Sequence, residues 1–246
     1  MTTLTLTHTR FHLLETVRVP MALIASVFFP AASMLFFVVP FGASDGVAAT
    51  YATASMATFA IMMTNLFGYG VGVASDRAQP WDAYSRTLPA GPGPRFAGRI
   101  LAGSVMTVTS LLPVLVIAAL FTDATTTVVG LVLGAGAALI AAVPFTLMGL
   151  AIGYGMPMKA ALAVSQILFF PLGFLGGLMS SPTEAPAFVQ TVAPYRPTRG
   201  AAELMWAAVT DHSPNPTALL MLGVWTVALA GLAVLAYRHD QGRRFR

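Results

Sequence analysis

Six stretches of this chain run far enough without an Asp, Glu, Lys or Arg to cross a lipid bilayer. A spanning helix needs about 20 mostly apolar residues, because a rise of about 1.5 Å per residue must cover about 30 Å of hydrocarbon. The runs are Val19 to Ser44, Gly46 to Ser75, Ile100 to Thr122, Ala124 to Met158, Ala160 to Ser181 and Thr217 to Tyr237. They are continuously apolar rather than alternating with period two, which argues against the strands of a membrane barrel. Composition agrees. Charged residues make up 9% of the 246 and hydrophobic ones 57%, whereas a soluble domain carries about 25% charged residues. So few charges cannot cover a water-facing surface. The sequence predicts an all-α, polytopic membrane protein with six transmembrane helices, a single domain over residues 1–246.

Orientation follows from the basic residues. Eleven of the 13 Lys and Arg fall on one side if both termini are cytoplasmic: Arg10 and Arg18, the four Arg between 76 and 99, Lys159, and the four Arg of the C-terminal tail. Only Arg196 and Arg199 fall outside. Basic residues this dispersed form no patch for nucleic acid. The N-terminus does not read as a cleavable signal peptide, because its first apolar run is too long and lacks an Ala-x-Ala site. With no cysteine, disulfides and thiolate chemistry are excluded.

Three segments outside the spans carry information. Residues 1–18 read as an amphipathic interfacial helix, with Leu4, Phe11, Leu14 and Val17 on one side and His8, His12 and Glu15 towards another. Such a helix lies along a membrane surface. Residues 76–99 form the longest cytoplasmic connection, with room for two helical turns from Trp81 to Leu88 before Pro89, Gly91, Pro92, Gly93 and Pro94. On the outer side, residues 182–216 are too long and apolar for a plain loop and predict short re-entrant helices. Backbone of that kind is tolerated at membrane depth only where protein or water covers its polar groups.

Catalysis finds little support. No Walker A, Gly-x-Ser-x-Gly or His-Glu-x-x-His pattern is present in the sequence, and each of those chemistries needs its motif. Gly68, Gly70 and Gly72 sit within an apolar run and read as close helix packing. His8, His12 and Glu15 share helical spacing, but on an interfacial helix a solvated polar face is the simpler reading than a metal site. No ionisable residue lies well inside a span, which lowers the case for ion-coupled carriers and charge-lined pores. The remaining polarity is mild: Thr64, Asn65, Ser165 and Gln166. These residues either bond between helices or line a substrate path with Phe59, Phe169 and Phe170. Pro30, Pro40, Pro113, Pro144 and Pro171 can kink their helices for packing or for movement.

A carrier without an ATP motif or an intramembrane carboxylate takes its energy from another protein. The docking candidate is the 81–88 helix, whose Trp81 and Tyr84 could equally be interfacial anchors. From about residue 8 to residue 240 the chain resembles the permease subunits of ABC-2 type exporters. The resemblance is carried by Phe28-Phe29-Pro30, by Ser75-Asp76-Arg77 leading to Leu88-Pro89, by the run from Phe169 to Gly177, and by Pro194-Tyr195-Arg196-Pro197. It implies that Asp76, Arg77, Trp81, Tyr84, Arg86 and Leu88 couple to ATP-binding cassette ATPase subunits, which bind ATP and Mg, with no cofactor on this chain. It also implies pairing with a second copy or a related permease, lipid contact in the plasma (inner) membrane, and export of a drug, lipid or peptide. The family's Arg-Glu-x-Gly loop pattern is replaced by Arg77-Ala78-Gln79-Pro80, so its acidic partner is either missing or moved to Asp76 or Asp82. The competing readings are a non-transporting six-helix protein (immunity, sensor or assembly factor) and an intramembrane enzyme.

Overall fold

The computed structural model describes residues 2–18, 28–42, 45–80, 92–179 and 185–243. The described elements are all helical. Helix α1 is Thr2–Arg18 and α2 covers 28–42, with a π turn at Met34–Val38. The long helices are α3 (Gly46–Arg77), α4 (Pro92–Phe121), α5 (Val128–Gly155), α6 (Met158–Leu175) and α9 (Pro216–Arg243). Between the last two lie α7 (Ala187–Val192), a 3-10 turn at Ala193–Tyr195, and α8 (Pro197–Val209). Five of these helices, α3, α4, α5, α6 and α9, are long and apolar enough to span a membrane, and Phe28–Val38 is a shorter apolar helix. The expected first span is therefore seen only in its second half, and six spans reduce to five among the described residues.

Several boundaries move for local reasons. Helix α4 starts at Pro92, inside the stretch read as loop 76–99, because proline is accepted in a first turn, where its missing N–H costs nothing. The α3–α4 connection thus shortens to 78–91. Pro157, in extended conformation, divides α5 from α6, so α5 stops at Gly155 rather than Met158. Helix α6 ends at Leu175, six residues before Ser181, where Gly176 and a left-handed Gly177 (φ 77°) turn the chain. Helix α9 continues past Tyr237 to Arg243. Pro113, Pro144 and Pro171 all sit within continuous helices. At the other ends, the Asp45 carboxylate accepts from Val47 N and Ala48 N at 3.0 and 3.2 Å, and Thr127 caps α5 through Gly130 N at 3.0 Å.

Helix α3 is the axis of the bundle, with 67% of its apolar window buried against 22% for α6 and α9. Small residues permit this approach: Ala54, Ala57 and Ala60 are buried along it. On α5, a Cβ at Gly153 would lie 2.6 Å from Tyr69 O, and one at Gly149 would lie 2.8 Å from Asn65 O. The two backbones are in direct contact, the geometry that glycine permits in membranes. Of Gly68, Gly70 and Gly72, only Gly70 meets a neighbour, so the packing reading holds for one of the three.

The long helices alternate in direction. Arg77, Arg99, Gly153 and Asp240 meet at one end, whereas Thr50, Thr125 and Trp206 meet at the other. Helix α1 lies on the start of α4, where Thr9 Oγ1 donates to Gly98 O at 3.3 Å. The expected solvated polar face of α1 holds for Glu15, which is exposed, but not for His8. His8 packs on Gly98, where a Cβ would come within 2.6 Å of it, while Leu4, Leu6, Phe11 and Val17 point outward. An apolar face turned away from protein suits contact with lipid.

Candidate functional site

Polar side chains gather at three levels of the bundle. At the α1 end, Arg77 extends from the last turn of α3. It donates to Gly153 O at 2.6 Å and Met156 O at 3.2 Å, and forms an ion pair with Asp240 of α9. Its neighbour Asp76 is paired with Arg99 of α4. Arg77 also faces the Tyr154 ring, which joins Phe96 and Tyr237 in an edge-to-face cluster. The two charges expected to meet an ATPase therefore tie α3 to α4, α5 and α9. Trp81, Tyr84, Arg86 and Leu88 lie outside the described residues.

Halfway along α3, Asn65 joins three spans. Its Nδ2 donates to Ile61 O at 2.8 Å and to Thr107 Oγ1 at 3.0 Å, and its Oδ1 accepts from Thr146 Oγ1 at 2.9 Å. The amide is 2% exposed and its bonding capacity is used within the bundle. The aromatic residues grouped with it in sequence separate into two sets. Phe59 and Phe169 stack with centroids 4.5 Å apart and are buried, with Phe67 against the same ring. Phe170 and Gln166 lie on the exposed face of α6. Ser165 is fully buried opposite Gly70.

A cavity of about 530 Å³ opens between α1, α3 and α4. Asn65, Thr64 and Ser110 reach its inner part, while Asp76, Arg99 and Glu15 stand where α1 meets the spans. None of Phe59, Gln166, Phe169 and Phe170 borders it. Of the proposed path residues, Thr64 and Asn65 do.

The opposite end holds a cluster that sequence reasoning missed. Glu203 on α8 is 1% exposed. Its Oε1 accepts from Arg199 Nε at 2.7 Å, and its Oε2 lies 2.6 Å from His212 Nε2 and accepts from Asn215 N at 2.9 Å. The Arg199 guanidinium lies 4.6 Å over Trp206, whose Nε1 donates to Ser55 Oγ at 3.1 Å and Tyr51 O at 3.2 Å. The i, i+4 spacing of Arg199 and Glu203 was a visible signal for an ion pair. Its burial was not, because an outside segment with two arginines reads as surface. Among the described residues no group of three or more His, Cys, Asp or Glu is arranged to hold a metal ion.

Comparison with known proteins places this arrangement. A family model described as "ABC-2 type transporter" matches residues 3–209. The chain is also 26% identical over 169 residues to the Bacillus subtilis (strain 168) protein named "Putative transport permease YvfS", a similarity covering 68% of this chain and 69% of that protein. The match runs from α1 through the last turn of α8 and takes in all three polar levels apart from their contacts on α9 and the residues leading to it. With its five long apolar helices, this chain is a multi-pass membrane protein and belongs to the ABC-2 type transporter family, the membrane subunits of ABC transporters.

Proposed function

We propose that this chain is the permease subunit of an ATP-driven exporter. It moves a hydrophobic or amphipathic substrate (drug, lipid or peptide) out of the cytoplasm or the inner leaflet. ATP and Mg are bound by a separate ATP-binding cassette subunit, and this chain carries neither. Both termini face the cytoplasm, in keeping with the placement of eleven of 13 basic residues, and the membrane is the plasma membrane. A second copy or a related permease completes the membrane unit, and residues 182–216 form its extracellular re-entrant part.

The observation that carries the coupling role is the anchoring of the α3–α4 connection. Asp76 and Arg77 precede it and Arg99 follows it, and through them its flanks are tied to α3, α4, α5 and α9. A push on residues 78–91 therefore reaches four helices at once, as a motor seated on Trp81, Tyr84, Arg86 and Leu88 requires. The deciding experiment is an affinity pull-down of the tagged protein from native membranes in a mild detergent, with mass spectrometry and an ATPase assay. A stoichiometric ATP-binding subunit with ATP turnover supports the exporter. Recovery of the protein alone, in a detergent that preserves such complexes, removes the motor and brings the non-transporting reading forward.

A further inference from the structure

The cavity between α1, α3 and α4, about 530 Å³ in volume, falls within the range of about 300–1,000 Å³ typical of small-molecule sites. Met63, Phe67 and Met106 supply its apolar wall, and unbranched thioethers adapt to ligands of different outline. Thr64 also lines it, and the Thr64 hydroxyl oxygen is out of contact with solvent with no hydrogen-bond partner among the described residues. A buried hydroxyl without a partner is unfavourable.

The mouth is chemically different. Asp76 and Arg99 neutralise each other there. The Glu15 side chain is 61% exposed, and its nearest approach to the His12 ring is 3.8 Å, too long for a hydrogen bond. Outside that pair, the carboxylate at the described mouth is Glu15, and solvent reaches it. An anionic headgroup would meet repulsion at this point, whereas a cationic one would gain an ion pair.

We propose that this cavity binds an amphiphile with a single cationic head. Its apolar body lies against Met63, Phe67 and Met106, and its cation faces Glu15. That this ligand is also the transported cargo rests on the exporter reading; binding itself is a property of the chain alone.

The test is a fluorescence titration of the full-length protein, purified into lipid nanodiscs, with ethidium as the aromatic cation and 8-anilinonaphthalene-1-sulfonate as the anionic comparison. Wild type is expected to bind ethidium saturably. Glu15→Gln should weaken that binding about fivefold, the factor expected of an ion pair at a solvent-facing mouth, and should not weaken binding of the sulfonate. Met106→Trp, which fills the cavity, should abolish saturable ethidium binding. Glu15 is exposed, so its variant reports on the site even where Met106→Trp disturbs folding. The proposal is overturned if wild type shows no saturable binding, or if Glu15→Gln binds ethidium as wild type does. Failure of the exporter reading looks different: the ethidium pattern persists, but no ATPase co-purifies and proteoliposomes show no ATP-driven ethidium movement.

Discussion

Helices α6 and α8 invert the usual relation between apolarity and burial. Helix α6 has 18 residues and is apolar enough to span a membrane, yet only 22% of it is buried, and Ile167, Phe170 and Phe174 face outward. Helix α8 has 13 residues, includes an Arg and a Glu, and buries Thr198, Gly200, Ala201, Ala202, Glu203, Met205 and Trp206. In water the more apolar helix would go inside. In a bilayer, lipid tails solvate Leu and Phe as well as protein does, so apolar surface gains little by moving inward. What cannot face lipid is a charge, and Glu203 is held inside by Arg199, His212 and the Asn215 N–H. The bundle is organised around its polar groups and small residues.

If that is right, the largest stability effect comes from α8. Glu203→Leu strands the Arg199 guanidinium and the Asn215 N–H in a buried site. Removing one partner of a buried pair costs about 3–5 kcal/mol. The variant should unfold at a clearly lower temperature or denaturant concentration, read by tryptophan fluorescence in detergent micelles. The double variant Arg199→Met/Glu203→Leu removes both charges and should recover much of the loss, because apolar replacement of a whole buried pair is often neutral. A Glu203→Leu protein as stable as wild type would make the cluster incidental and cancel the contrast with α6.

The same contrast separates what the sequence makes legible from what it hides. Long uncharged runs make all five long helices legible, and the grouping of eleven basic residues on one side implies that they alternate in direction. Local chemistry displaced the ends, at Pro92, Pro157 and Gly176, by up to eight residues, because a hydropathy run does not register where a proline can start a helix. The polar clusters were hidden for a reason of distance. Asn65 finds its partners at Thr107 and Thr146 on other helices, and Glu203 finds His212 and Asn215 across a turn. Single threonines in apolar runs look like ordinary membrane residues until the helices are placed side by side. The polar side of α1 reads as facing water, which holds for Glu15 but not for all of it. His8 meets α4, and His12 lines the cavity.

Asn65 is the intermediate case, fully buried but uncharged. Asn65→Leu leaves Thr107 and Thr146 without their shared partner, although each hydroxyl can turn to a carbonyl of its own helix, as Thr107 already does to Gly103 O at 2.8 Å. Interhelical bonds of this kind contribute about 0.6 kcal/mol on average and at most about 1.7 kcal/mol in membranes. The expected loss is therefore below that of Glu203→Leu, measured in the same unfolding assay. A loss equal to the Glu203 variant would mean that the three-helix junction, rather than the ionic end, sets stability.

The smallest effect belongs to α6. Phe170 is 62% exposed and its ring touches Phe169 at a centroid distance of 5.2 Å. Phe170→Ala removes that edge contact from a mostly exposed side chain, so the isolated chain should change by no more than about 0.5 kcal/mol, the usual range for a surface position. In a soluble protein an exposed phenylalanine beside Ile167 would mark a contact site; in lipid it needs no partner. The comparison sharpens if the variant is unfolded at two protein-to-lipid ratios. Equal behaviour at both leaves α6 facing lipid, whereas a loss of stability only at the high protein ratio would show that a second chain covers this face.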